Sequence, residues 1–304
     1  MEIQGIGSLL KKYRENGGLK KEEAVKPVFT GVEGNDVYNP TAPFSYGGKT
    51  LICARVEPRD SEQSETVFFE ETEKDVYAPA EGMPRFCLQD PCITVVNGQY
   101  ILGGTEVFPH PDNQEWVAWR TSFFIGERLE ELRPFVKGPI GMKDVRLVEL
   151  KDKRVGVFTR PQGEKGGRGK VGFTAVDSLS DVTEEVMENA PLLELFLPEE
   201  WGGVNAAYLL ENGEIGVLGH IACFEPEGVR HYYPMTFRLH PETGAHTMPV
   251  ILAERREFLD GESKRDDLVD VLFSGGLCGK GDTLLLYVGV SDCEVQYKPV
   301  PNPF

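Results

Sequence analysis

The stretch Cys92–Phe108, CITVVNGQYILGGTEVF, decides the fold class because it reads as two β-strands joined by a tight turn. β-Branched and aromatic residues fill both halves, and Asn97-Gly98 separates them. Asn-Gly favours the positive φ angles of a two-residue hairpin turn. Another β-rich run, WVAWRTSFFIG at 116–126, comes next. The segment therefore predicts an antiparallel hairpin extended by a third strand.

Five such sets of strands recur along the chain. Each set pairs β-rich runs across a turn rich in Gly, Asn, Asp or Lys, and further strand sequence follows. The sets begin with GKTLICARVEP (48–58), CITVVNGQYILGGTEVF (92–108), DVRLVELKDKRVGVFTRP (144–161), VNAAYLLENGEIGVLGHIAC (204–223) and DVLFSGGLCGKGDTLLLYVGVSD (270–292). A repeat of about 50 to 60 residues with this content is typical of a β-propeller blade.

The repeats predict an all-β protein, a single five-bladed β-propeller domain over residues 1–304. An N-terminal strap takes residues 1–30, and the blades take roughly 31–80, 81–135, 136–190, 191–250 and 251–304. The innermost strands are expected near 40–46, 91–96, 144–150, 204–210 and 270–274. The segment LLKKYRENGGLKKEEA (9–24) is compatible with a short helix broken at Gly17-Gly18, but a solvated strap is the preferred interpretation.

The charge balance excludes two classes of partner. The 304-residue chain has 32 basic and 49 acidic residues, a net charge of −17. Nucleic acids and anionic membranes both need a cationic surface, so neither is expected to bind. An anionic ligand would require a local basic pocket. The N-terminus has no leader pattern, and apolar runs such as LLLYVGV (284–290) are too short to span a bilayer, so a cytoplasmic protein is expected.

Cysteine and histidine patterns give no sign of a metal site. The six cysteines include no CxxC pair, and the five histidines form no HExxH motif. The cysteines lie on strand-like segments, which indicates reduced, half-buried thiols. We therefore expect neither a bound metal nor an organic cofactor.

One carboxylate, Asp90, stands immediately before the hairpin, in an Asp-Pro pair that ordinarily only begins a turn. A propeller, however, brings corresponding ends of its innermost strands together around a central channel. Polar residues occupy such positions in the other sets: Asn39, Arg55, Lys143, Asp144, Arg160, His220 and Asp292. Together with Asp90 they predict a polar, cation-rich channel mouth in an acidic protein.

The order of these residues resembles a known group of enzymes. The order begins with NP (Asn39-Pro40), an Arg on the next strand (Arg55) and DP before a strand (Asp90-Pro91). It continues with a basic residue (Lys143) and an Arg 17 positions further on (Arg160), and it ends with GH (Gly219-His220) and GVSD (289–292). This order is similar to that of the five-bladed propeller phosphorylases and hydrolases that act on β-mannosides. Within that group, nearly the whole chain most resembles the mannosyltransferase and phosphorylase family of β-1,2-mannan metabolism, whose bacterial members were long described as a domain of unknown function.

The resemblance implies an inverting phosphorylase or mannosyltransferase of β-1,2-linked mannosides that reversibly forms mannose 1-phosphate. Inorganic phosphate would be the co-substrate, and some members of the family use GDP-mannose as donor. Asp90 would be the general acid. The residues implied to bind the sugar are Asn39, Arg55, Asp144 and Asp292, and those implied to hold phosphate are Lys143, Arg160 and His220.

This assignment of roles suits the chemistry. A hydrolase that inverts needs a second carboxyl group to activate water. Phosphate is already an anionic nucleophile, so a cationic pocket takes the place of that group. Two departures from the family pattern stand out: Gln89 and Cys92 flank Asp90-Pro91 where the family has Glu and Arg, and Lys143 replaces an Arg. Pro91 is expected to restrict Asp90 to extended conformations.

Two other functions stay open on the sequence. A β-mannoside hydrolase would need a second catalytic carboxylate, for which Asp144, Glu106 and Asp292 are candidates. A non-catalytic propeller that binds carbohydrate or protein is the other, because a fold does not fix a function. The loop GEKGGRGKVGF (163–173) does not match the P-loop pattern and is interpreted as an exposed hairpin loop. A contribution of Arg168 or Lys170 to the anion pocket is the alternative interpretation.

Overall fold

The computed structural model describes residues 3–225 and 228–304, and these form an all-β protein with a few short helices. Most strands pair with antiparallel neighbours that follow one another in the chain. The turn that decides the sequence prediction is present: Asn97 and Gly98 have φ angles of 51° and 78°, as a two-residue hairpin turn requires. The all-β prediction is confirmed.

The first half of the chain forms two sheets. The first contains six strands in the order β1-β6-β5-β4-β2, with β3 paired to β4: β1 Val28–Phe29, β2 Asp36–Tyr38, β3 Phe44–Tyr46, β4 Lys49–Glu57, β5 Glu65–Glu73 and β6 Val76–Pro79. The second has the order β10-β9-β8-β7: β7 Gln89–Val96, β8 Gln99–His110, β9 Asn113–Gly126 and β10 Arg133–Lys137. The β8–β9 hairpin is long and extends beyond the sheet.

The second half forms two further sheets. One is the three-stranded meander of β11 Arg146–Glu149, β12 Val155–Thr159 and β13 Gly172–Val176. The other joins two antiparallel sets: β14 Trp201–Leu209, β15 Ile215–Phe224, β16 Arg230–Leu239 and β17 Val250–Ile251; β18 Asp270–Cys278, β19 Thr283–Val290 and β20 Glu294–Pro301. Only a short parallel pairing of β16 with β18 connects the two sets.

Hydrophobic clusters fill the spaces between neighbouring strand sets, and the described residues contain five of them. They lie between β2–β6 and β7–β9, between β7–β9 and β11–β13, between β11–β13 and β14–β16, between β14–β16 and β18–β20, and between β18–β20 and β2–β6. The last sheet therefore returns to the first. Val25 exchanges backbone hydrogen bonds with Tyr297 at this closure.

The expected innermost strands coincide with observed ones in four of the five sets. Strands β7, β11, β14 and β18 overlap the expected positions. Within the span 40–46 expected for the first set, only Phe44–Tyr46 (β3) forms a strand, and residues 39–43 are irregular. The irregular segment fits close against β18, because a Cβ on Gly275 would lie 2.1 Å from the Pro40 carbonyl oxygen.

Three α-helices lie outside the sheets: α1 Ile6–Glu15, α2 Gly163–Gly166 and α3 Glu184–Asn189. Single 3₁₀ turns occupy Lys21–Glu23, Leu129–Glu131, Leu179–Asp181, Arg255–Glu257 and Asp266–Leu268. The preference for a solvated strap over residues 9–24 is wrong for its first half. Helix α1 buries Leu9 and Leu10 in the core, and its Arg14 forms an ion pair with Glu254.

Helix α1 should contribute measurably to stability. Leu9 is 4% exposed, so Leu9→Ala removes buried apolar surface and leaves a cavity. We expect a loss of about 2 to 4 kcal/mol in the free energy of unfolding by urea denaturation. Lys11→Ala, on the exposed face of the same helix, is the matched control and should change it by less than about 0.5 kcal/mol. Equal effects would contradict a docked helix.

The helices in the described residues are each too short or too polar to cross a bilayer. All six cysteines are free; Cys53 and Cys293 are buried and Cys87 is exposed, while the other three are partly buried. The expectation of half-buried thiols is therefore correct for only three of them. Burial raises the pKa of the Cys53 thiol well above its usual value, which makes it a poor nucleophile.

Candidate active site

One polar cavity of about 170 Å³ lies where the strand sets converge, and all eight residues selected from the sequence line it. They are Asn39, Arg55, Asp90, Lys143, Asp144, Arg160, His220 and Asp292. Their positions in the chain span more than 250 residues, so only the fold brings them together. Six of them are almost completely buried; Lys143 and Asp292 are partly exposed.

The four Asn and Asp residues of the cavity share an uncommon backbone conformation. The φ angles of Asn39, Asp90, Asp144 and Asp292 are 46°, 51°, 59° and 52°. Left-handed φ angles are tolerated by Asn and Asp better than by other residues with a side chain, at a cost of order 1–3 kcal/mol each. The surrounding structure offsets that cost at four places in one cavity, as is common for functional sites.

Asp90 lies at an irregularity of strand β7 rather than before a strand. The pairing of β7 with β8 shifts register between Gln89 and Cys92, so Asp90 and Pro91 form the bulge. Such bulges often re-aim a side chain beside an active site. The expectation that Pro91 holds Asp90 extended is wrong, since the φ angle of Asp90 is 51°. The bulge orients the carboxylate instead.

Two donors hold one oxygen of the Asp90 carboxylate. Asn39 Nδ2 donates to Oδ1 over 2.7 Å, and Arg55 Nη1 donates to the same atom over 3.2 Å. The other oxygen, Oδ2, has no hydrogen-bond partner among the described residues. Asp90 is therefore fixed through one oxygen, while the other is free for a ligand.

Asn39 depends on a glycine in strand β19. A Cβ built on Gly289 would lie 1.9 Å from Asn39 Oδ1 and 2.7 Å from its backbone nitrogen. The glycine of the GVSD motif therefore leaves the space that the Asn39 side chain occupies. Asn39 Oδ1 itself is buried without a partner in the described structure, which leaves an acceptor available to a ligand.

Gly289→Ala is expected to abolish this arrangement. The added methyl group must displace Asn39, which releases Asp90 Oδ1, so any activity that needs Asp90 should fall at least 10-fold. Gly7→Ala, where a Cβ meets no atom within 4 Å, is the control and should leave activity unchanged. Circular dichroism and activity assays on both variants test this, and full activity in Gly289→Ala would contradict the role of Asn39.

A buried charge network holds Arg55 in turn. Glu57 Oε2 accepts from Arg55 Nε and Nη2 over 3.1 and 2.8 Å, while its other oxygen pairs with Lys264 and Tyr38. Burial of Glu57 disfavours its charge, but the neighbouring Arg55 and Lys264 outweigh burial and lower the pKa of its carboxyl. Glu57 is thus an anion that fixes the guanidinium which contacts Asp90.

The opposite side of the cavity is cationic, and Arg160 is its most constrained member. Arg160 Nε donates to the Gly202 carbonyl over 2.7 Å. Added Cβ atoms on Gly169 and Gly203 would both lie within 2.7 Å of its side chain, so the guanidinium fits between two glycines. Its Nη1 lies 3.5 Å from Asp144 Oδ2 and has no hydrogen-bond partner in the described structure. Buried donors without a hydrogen-bond partner are uncommon in proteins and are found at binding and catalytic sites.

The carboxylates on the two sides differ in their electrostatics. Burial disfavours the charge of Asp144, but Arg160, Lys143 and Arg146 outweigh burial and lower its pKa to about 2. Burial raises the pKa of Asp292, and the nearby charge of Asp90 adds to this effect. The ionised carboxylate of Asp144 thus lies among cations on one side of the cavity, whereas Asp90 and Asp292 lie on the other side and repel each other.

His220 lies at the cationic side without adding charge to it. Burial, reinforced by the charge of Arg160, lowers the pKa of its imidazole to about 3. The ring stacks on Tyr232, with centroids 5.2 Å apart, and its Nδ1 lies 2.9 Å from Asn205 Oδ1. With Nδ1 donating to that oxygen, Nε2 is an acceptor for a protonated ligand oxygen. Asn205 occupies a bulge of β14.

The neutral state of His220 has a consequence for stability. Because its pKa is lowered on folding, the unfolded chain binds the extra proton between about pH 6.5 and pH 3, and stability falls as pH decreases through that window. The loss is on the order of a few kcal/mol. His220→Gln should show a shallower decline from pH 6.5 to 4 in urea titrations, while exposed His240→Gln should match the wild type. Identical slopes for all three proteins would contradict a buried neutral imidazole.

Five further polar side chains line the cavity, and sequence reasoning did not propose them as site residues. They are Glu62, Gln89, Arg230, Tyr232 and Arg265. Arg230 begins strand β16, while Glu62 and Arg265 lie in connecting segments, so strand periodicity gave no signal for them. Glu106, a candidate second carboxylate, lies outside the cavity and is bound by Arg120, Ser122 and Lys137.

The cavity adjoins a wider cleft of about 620 Å³, which we call the outer cleft. Six residues line both: Glu62, Gln89, Lys143, Arg160, Arg230 and Tyr232. The outer cleft alone is lined by Thr105, Val107, Val117, Trp119, Gln162, Gly167, Arg168, Trp201 and Phe224. A ligand in the cavity can therefore extend into the outer cleft. Lys170, by contrast, donates to the Leu197 and Glu200 carbonyls and lines neither.

Comparison with known proteins places the chain in a family. The sequence profile described as "Protein of unknown function (DUF1861)" matches residues 13–304. The chain belongs to the DUF1861 family. No curated protein sequence matched it.

Solved structures similar to this DUF1861 chain include enzymes of mannose metabolism. MPT-4, a mannose phosphorylase from Leishmania mexicana solved with a phosphate ion, is 33% identical, with a TM-score of 0.90 over 98% of this chain and 93% of that chain. MPT-1, a GDP-Man-dependent mannosyltransferase from the same organism, is 29% identical, with a TM-score of 0.88 over 98% and 94%. A β-1,2-mannobiose phosphorylase from Listeria innocua, 16% identical with a TM-score of 0.65 over 95% and 96%, shares the fold.

Proposed function

We propose that this DUF1861 protein is an inverting phosphorylase and mannosyltransferase of β-1,2-linked mannosides, which exchanges a mannosyl group between a mannoside and phosphate. An enzyme that acts on mannosides is supported by its similarity to a mannose phosphorylase and a mannosyltransferase along almost its entire length. The β-1,2 linkage and the inversion are carried over from the sequence resemblance, whereas the residue roles rest on the cavity and on the sequence motifs.

A single observation carries the proposal: a carboxylate with a free oxygen and two cationic side chains with free donors line one small cavity. Asp90 Oδ2 and Arg160 Nη1 both lack a hydrogen-bond partner among the described residues, and both belong to one small cavity. Lys143 lines the same cavity and forms no ion pair in the described structure. One acid opposite an anion pocket is the minimum that phosphorolysis needs, since phosphate replaces the activated water of a hydrolase.

The reaction is a displacement at the anomeric carbon, with phosphate as the nucleophile and the shortened mannoside as the leaving group. A phosphate oxygen, aimed by Lys143 and Arg160, attacks the anomeric carbon of the terminal mannosyl unit. The bond from that carbon to the glycosidic oxygen breaks, and Asp90 supplies the proton to the departing oxygen, directly or through a sugar hydroxyl. The products are mannose 1-phosphate and the shortened mannoside. In the reverse direction Asp90 as carboxylate takes the proton from the acceptor hydroxyl.

The other residues bind the two reactants. Asn39, Arg55 and Asp292 surround the mannosyl unit on the Asp90 side, where their amide, guanidinium and carboxyl groups suit sugar hydroxyls. Asp144 lies between Arg160 and Arg146, so it either binds a hydroxyl or orients Arg160. His220, neutral, accepts a hydrogen bond from a protonated phosphate oxygen.

The architecture that supports this site is, we infer, one five-bladed propeller over residues 1–304. Five strand sets follow one another, five hydrophobic clusters separate them in the described residues, and the last set packs on the first. Such a ring directs one end of each innermost strand to a common channel. Of the expected blade boundaries, those near 80 and 190 fall between strand sets, whereas those near 135 and 250 fall within β10 and β17, the last strands of their sets.

The linkage is tested with a panel of disaccharides. Purified protein is incubated with phosphate and with β-1,2-, β-1,4- or α-1,2-linked mannobiose, and mannose 1-phosphate is measured by ³¹P NMR. We expect mannose 1-phosphate to form from β-1,2-mannobiose at a rate at least 10-fold above that from the β-1,4- or α-1,2-linked disaccharide. Equal or faster reaction of a β-1,4 or α-linked compound would overturn the linkage, and the anomeric signal of the product reports inversion or retention.

A further inference from the structure

We propose that a second cavity, which we call the funnel, binds a small monocarboxylate with a compact apolar body, and that its occupation weakens phosphate binding in the polar cavity. The funnel has a volume of about 220 Å³ and is lined by residues of all five strand sets. The site itself is independent of the proposed function, whereas its coupling to phosphate rests on that function.

The funnel continues the polar cavity along the same chain segments. In four of the five strand sets, a funnel residue lies two positions after a residue of the polar cavity: Thr41 after Asn39, Cys92 after Asp90, Arg146 after Asp144 and Gly275 after Phe273. Two residues of chain span at most about 7 Å. The outer cleft contains Gln89 and Lys143, which precede Asp90 and Asp144. The funnel therefore adjoins the polar cavity on the side away from the outer cleft.

The base of the funnel is buried, while its wall is partly exposed. Arg146 and Asn205, which lie nearest the polar cavity, are 4% and 3% exposed. Ile93, Thr94 and Ala207, further along their strands, are only partly buried. The funnel thus narrows from an accessible rim to a polar base.

The base offers positive charge and two donors without partners. Arg146 Nε and Nη1 donate to the carbonyl oxygens of Asn205 and Val145, each over 3.0 Å, and its Nη2 has no hydrogen-bond partner among the described residues. Asn205 Nδ2 is buried and also has no partner there. Arg146 is the only charged side chain that lines the funnel in the described part of the chain. One cation with two free donors suits the two oxygens of a single carboxylate.

Apolar side chains dominate the wall above this base. They include Phe44, Ile93, Leu147, Ala206 and Leu277. An organic acid gains from burying its apolar body against such a wall, whereas a small inorganic anion does not. A cavity of about 150 Å³ already accommodates benzene, so the funnel has room for a single aromatic ring. The base and the wall together favour a compact organic acid.

Both residues of the base also contact the polar cavity. Arg146 Nη2 lies 3.5 Å from Asp144 Oδ1, and Asn205 Oδ1 lies 2.9 Å from His220 Nδ1. Asp144 and His220 lie at the cationic side of the polar cavity. A carboxylate at Arg146 therefore adds negative charge close to the position assigned to phosphate. Since like charges repel strongly in a buried environment, each anion should weaken the binding of the other.

Calorimetry tests the site without any assay of activity. Benzoate, benzamide and acetate are titrated into the wild-type protein in a phosphate-free buffer of fixed ionic strength. Benzamide has the shape of benzoate but no charge, and acetate has the charge but almost no apolar body. We expect benzoate to bind at one site per chain and at least 10-fold more tightly than either. Similar affinities for benzoate and benzamide, or no saturable binding of benzoate, would overturn the carboxylate site.

A filled funnel shows where benzoate binds. Thr94 is partly exposed on the wall, and its side chain forms no hydrogen bond within residues 3–225 and 228–304, so Thr94→Phe should occupy the funnel and weaken benzoate binding at least 10-fold. Thr283→Phe, at an exposed position outside the funnel, is the matched control and should bind benzoate as the wild type does. Thermal unfolding confirms that both variants are folded. Unchanged benzoate affinity in Thr94→Phe would place the ligand elsewhere and overturn the site.

Removal of the charge at the base tests the role of Arg146. Arg146→Gln should lower the ratio of benzoate to benzamide affinity about 10-fold, because the charge-assisted hydrogen bond to the carboxylate is lost. Benzamide binding in the same variant reports whether the funnel keeps its shape. A ratio that stays at the wild-type value would overturn the assignment of the carboxylate to Arg146. If this variant does not fold, Thr94→Phe still decides the location of the site.

Titrations of benzoate at increasing phosphate concentration test the coupling. We expect the affinity for benzoate to fall about 5-fold and then to stay constant once phosphate saturates its own site. A decrease that continues in proportion to the phosphate concentration would mean that the two anions compete for one site, which would overturn a separate funnel site. Sodium chloride at matched ionic strength controls for screening.

The outcomes separate this inference from the proposed function. Benzoate binding that Thr94→Phe removes supports the site even if the protein forms no mannose 1-phosphate. Absence of benzoate binding overturns the site even if phosphorolysis occurs. Phosphate that binds but leaves the affinity for benzoate unchanged overturns the coupling alone, whereas a protein that binds no phosphate contradicts the proposed function.

Discussion

Asp90→Asn is expected to lower turnover of β-mannoside phosphorolysis by at least 10² to 10⁴-fold, the range that general acid catalysis contributes. The loss follows from chemistry rather than from shape. An asparagine at this position keeps an oxygen to accept from Asn39 and Arg55, and it tolerates the left-handed φ of 51° that Asp90 adopts. What it lacks is a proton to give to the departing oxygen.

The control for this variant is another aspartate in the same backbone conformation. Asp75 has a φ of 62° in the turn between β5 and β6, lines neither the cavity nor the outer cleft, and accepts a hydrogen bond from Tyr297. Asp75→Asn should retain full activity. Steady-state rates of mannose 1-phosphate formation, with thermal unfolding of each variant, make the comparison. Near wild-type turnover in Asp90→Asn would show that Asp90 only shapes the bulge.

Arg160→Gln should raise the KM for phosphate and reduce kcat/KM by about 10² to 10³-fold, because it removes a preorganised cation from the attacking group. Removal of the charge also leaves Asp144, whose pKa of about 2 depends on Arg160, with less compensation in a buried position. We therefore expect a loss of stability in addition to the kinetic defect. Initial rates at varied phosphate and at varied mannoside separate the two substrates.

A graded variant makes the Arg160 test specific. Arg160→Lys retains the charge but loses the fork and the bond from Nε to the Gly202 carbonyl, so its defect should be smaller than that of Arg160→Gln. Both variants should change KM for phosphate more than KM for the mannoside. A defect confined to the mannoside would move Arg160 out of the phosphate pocket.

Local turn chemistry explains why the strands were predictable. Asn97-Gly98 can form few structures other than a hairpin turn, and the adjacent β-branched runs have enough length to pair. The order of polar residues at strand ends also located the eight cavity residues, because equivalent ends of successive strand sets meet in one channel. The turns and strands are properties of short segments, and the cavity follows from the repetition of those segments along the chain.

The errors concern features that depend on packing. Sequence favours an extended residue before Pro91, yet the register of β8 and the bonds from Asn39 and Arg55 hold Asp90 in a left-handed conformation. The sequence favours a solvated strap over residues 9–24, but Leu9 and Leu10 belong to a core cluster with residues as distant in the chain as Ile215 and Ile251. No local signal identifies such partners.

The same limit applies to the outer cleft. Arg168 lies in a glycine-rich loop that reads as solvent-exposed, and only its contact with Phe224 and Trp201 shows that it lines a concave surface. Arg230 and Arg265 are ordinary charged residues by sequence. Their positions at the cavity arise from how β16 and the segment before β18 meet, which depends on the whole fold.

The most direct test of the central claim is the stoichiometry of β-1,2-mannobiose breakdown with and without phosphate. We expect one mannose 1-phosphate and one mannose for each disaccharide consumed in phosphate buffer, and no breakdown in a phosphate-free buffer. Release of two mannose molecules for each disaccharide, at a rate independent of phosphate, would identify a hydrolase and exclude a phosphorylase. Stable disaccharide under both conditions would contradict phosphorolysis as well.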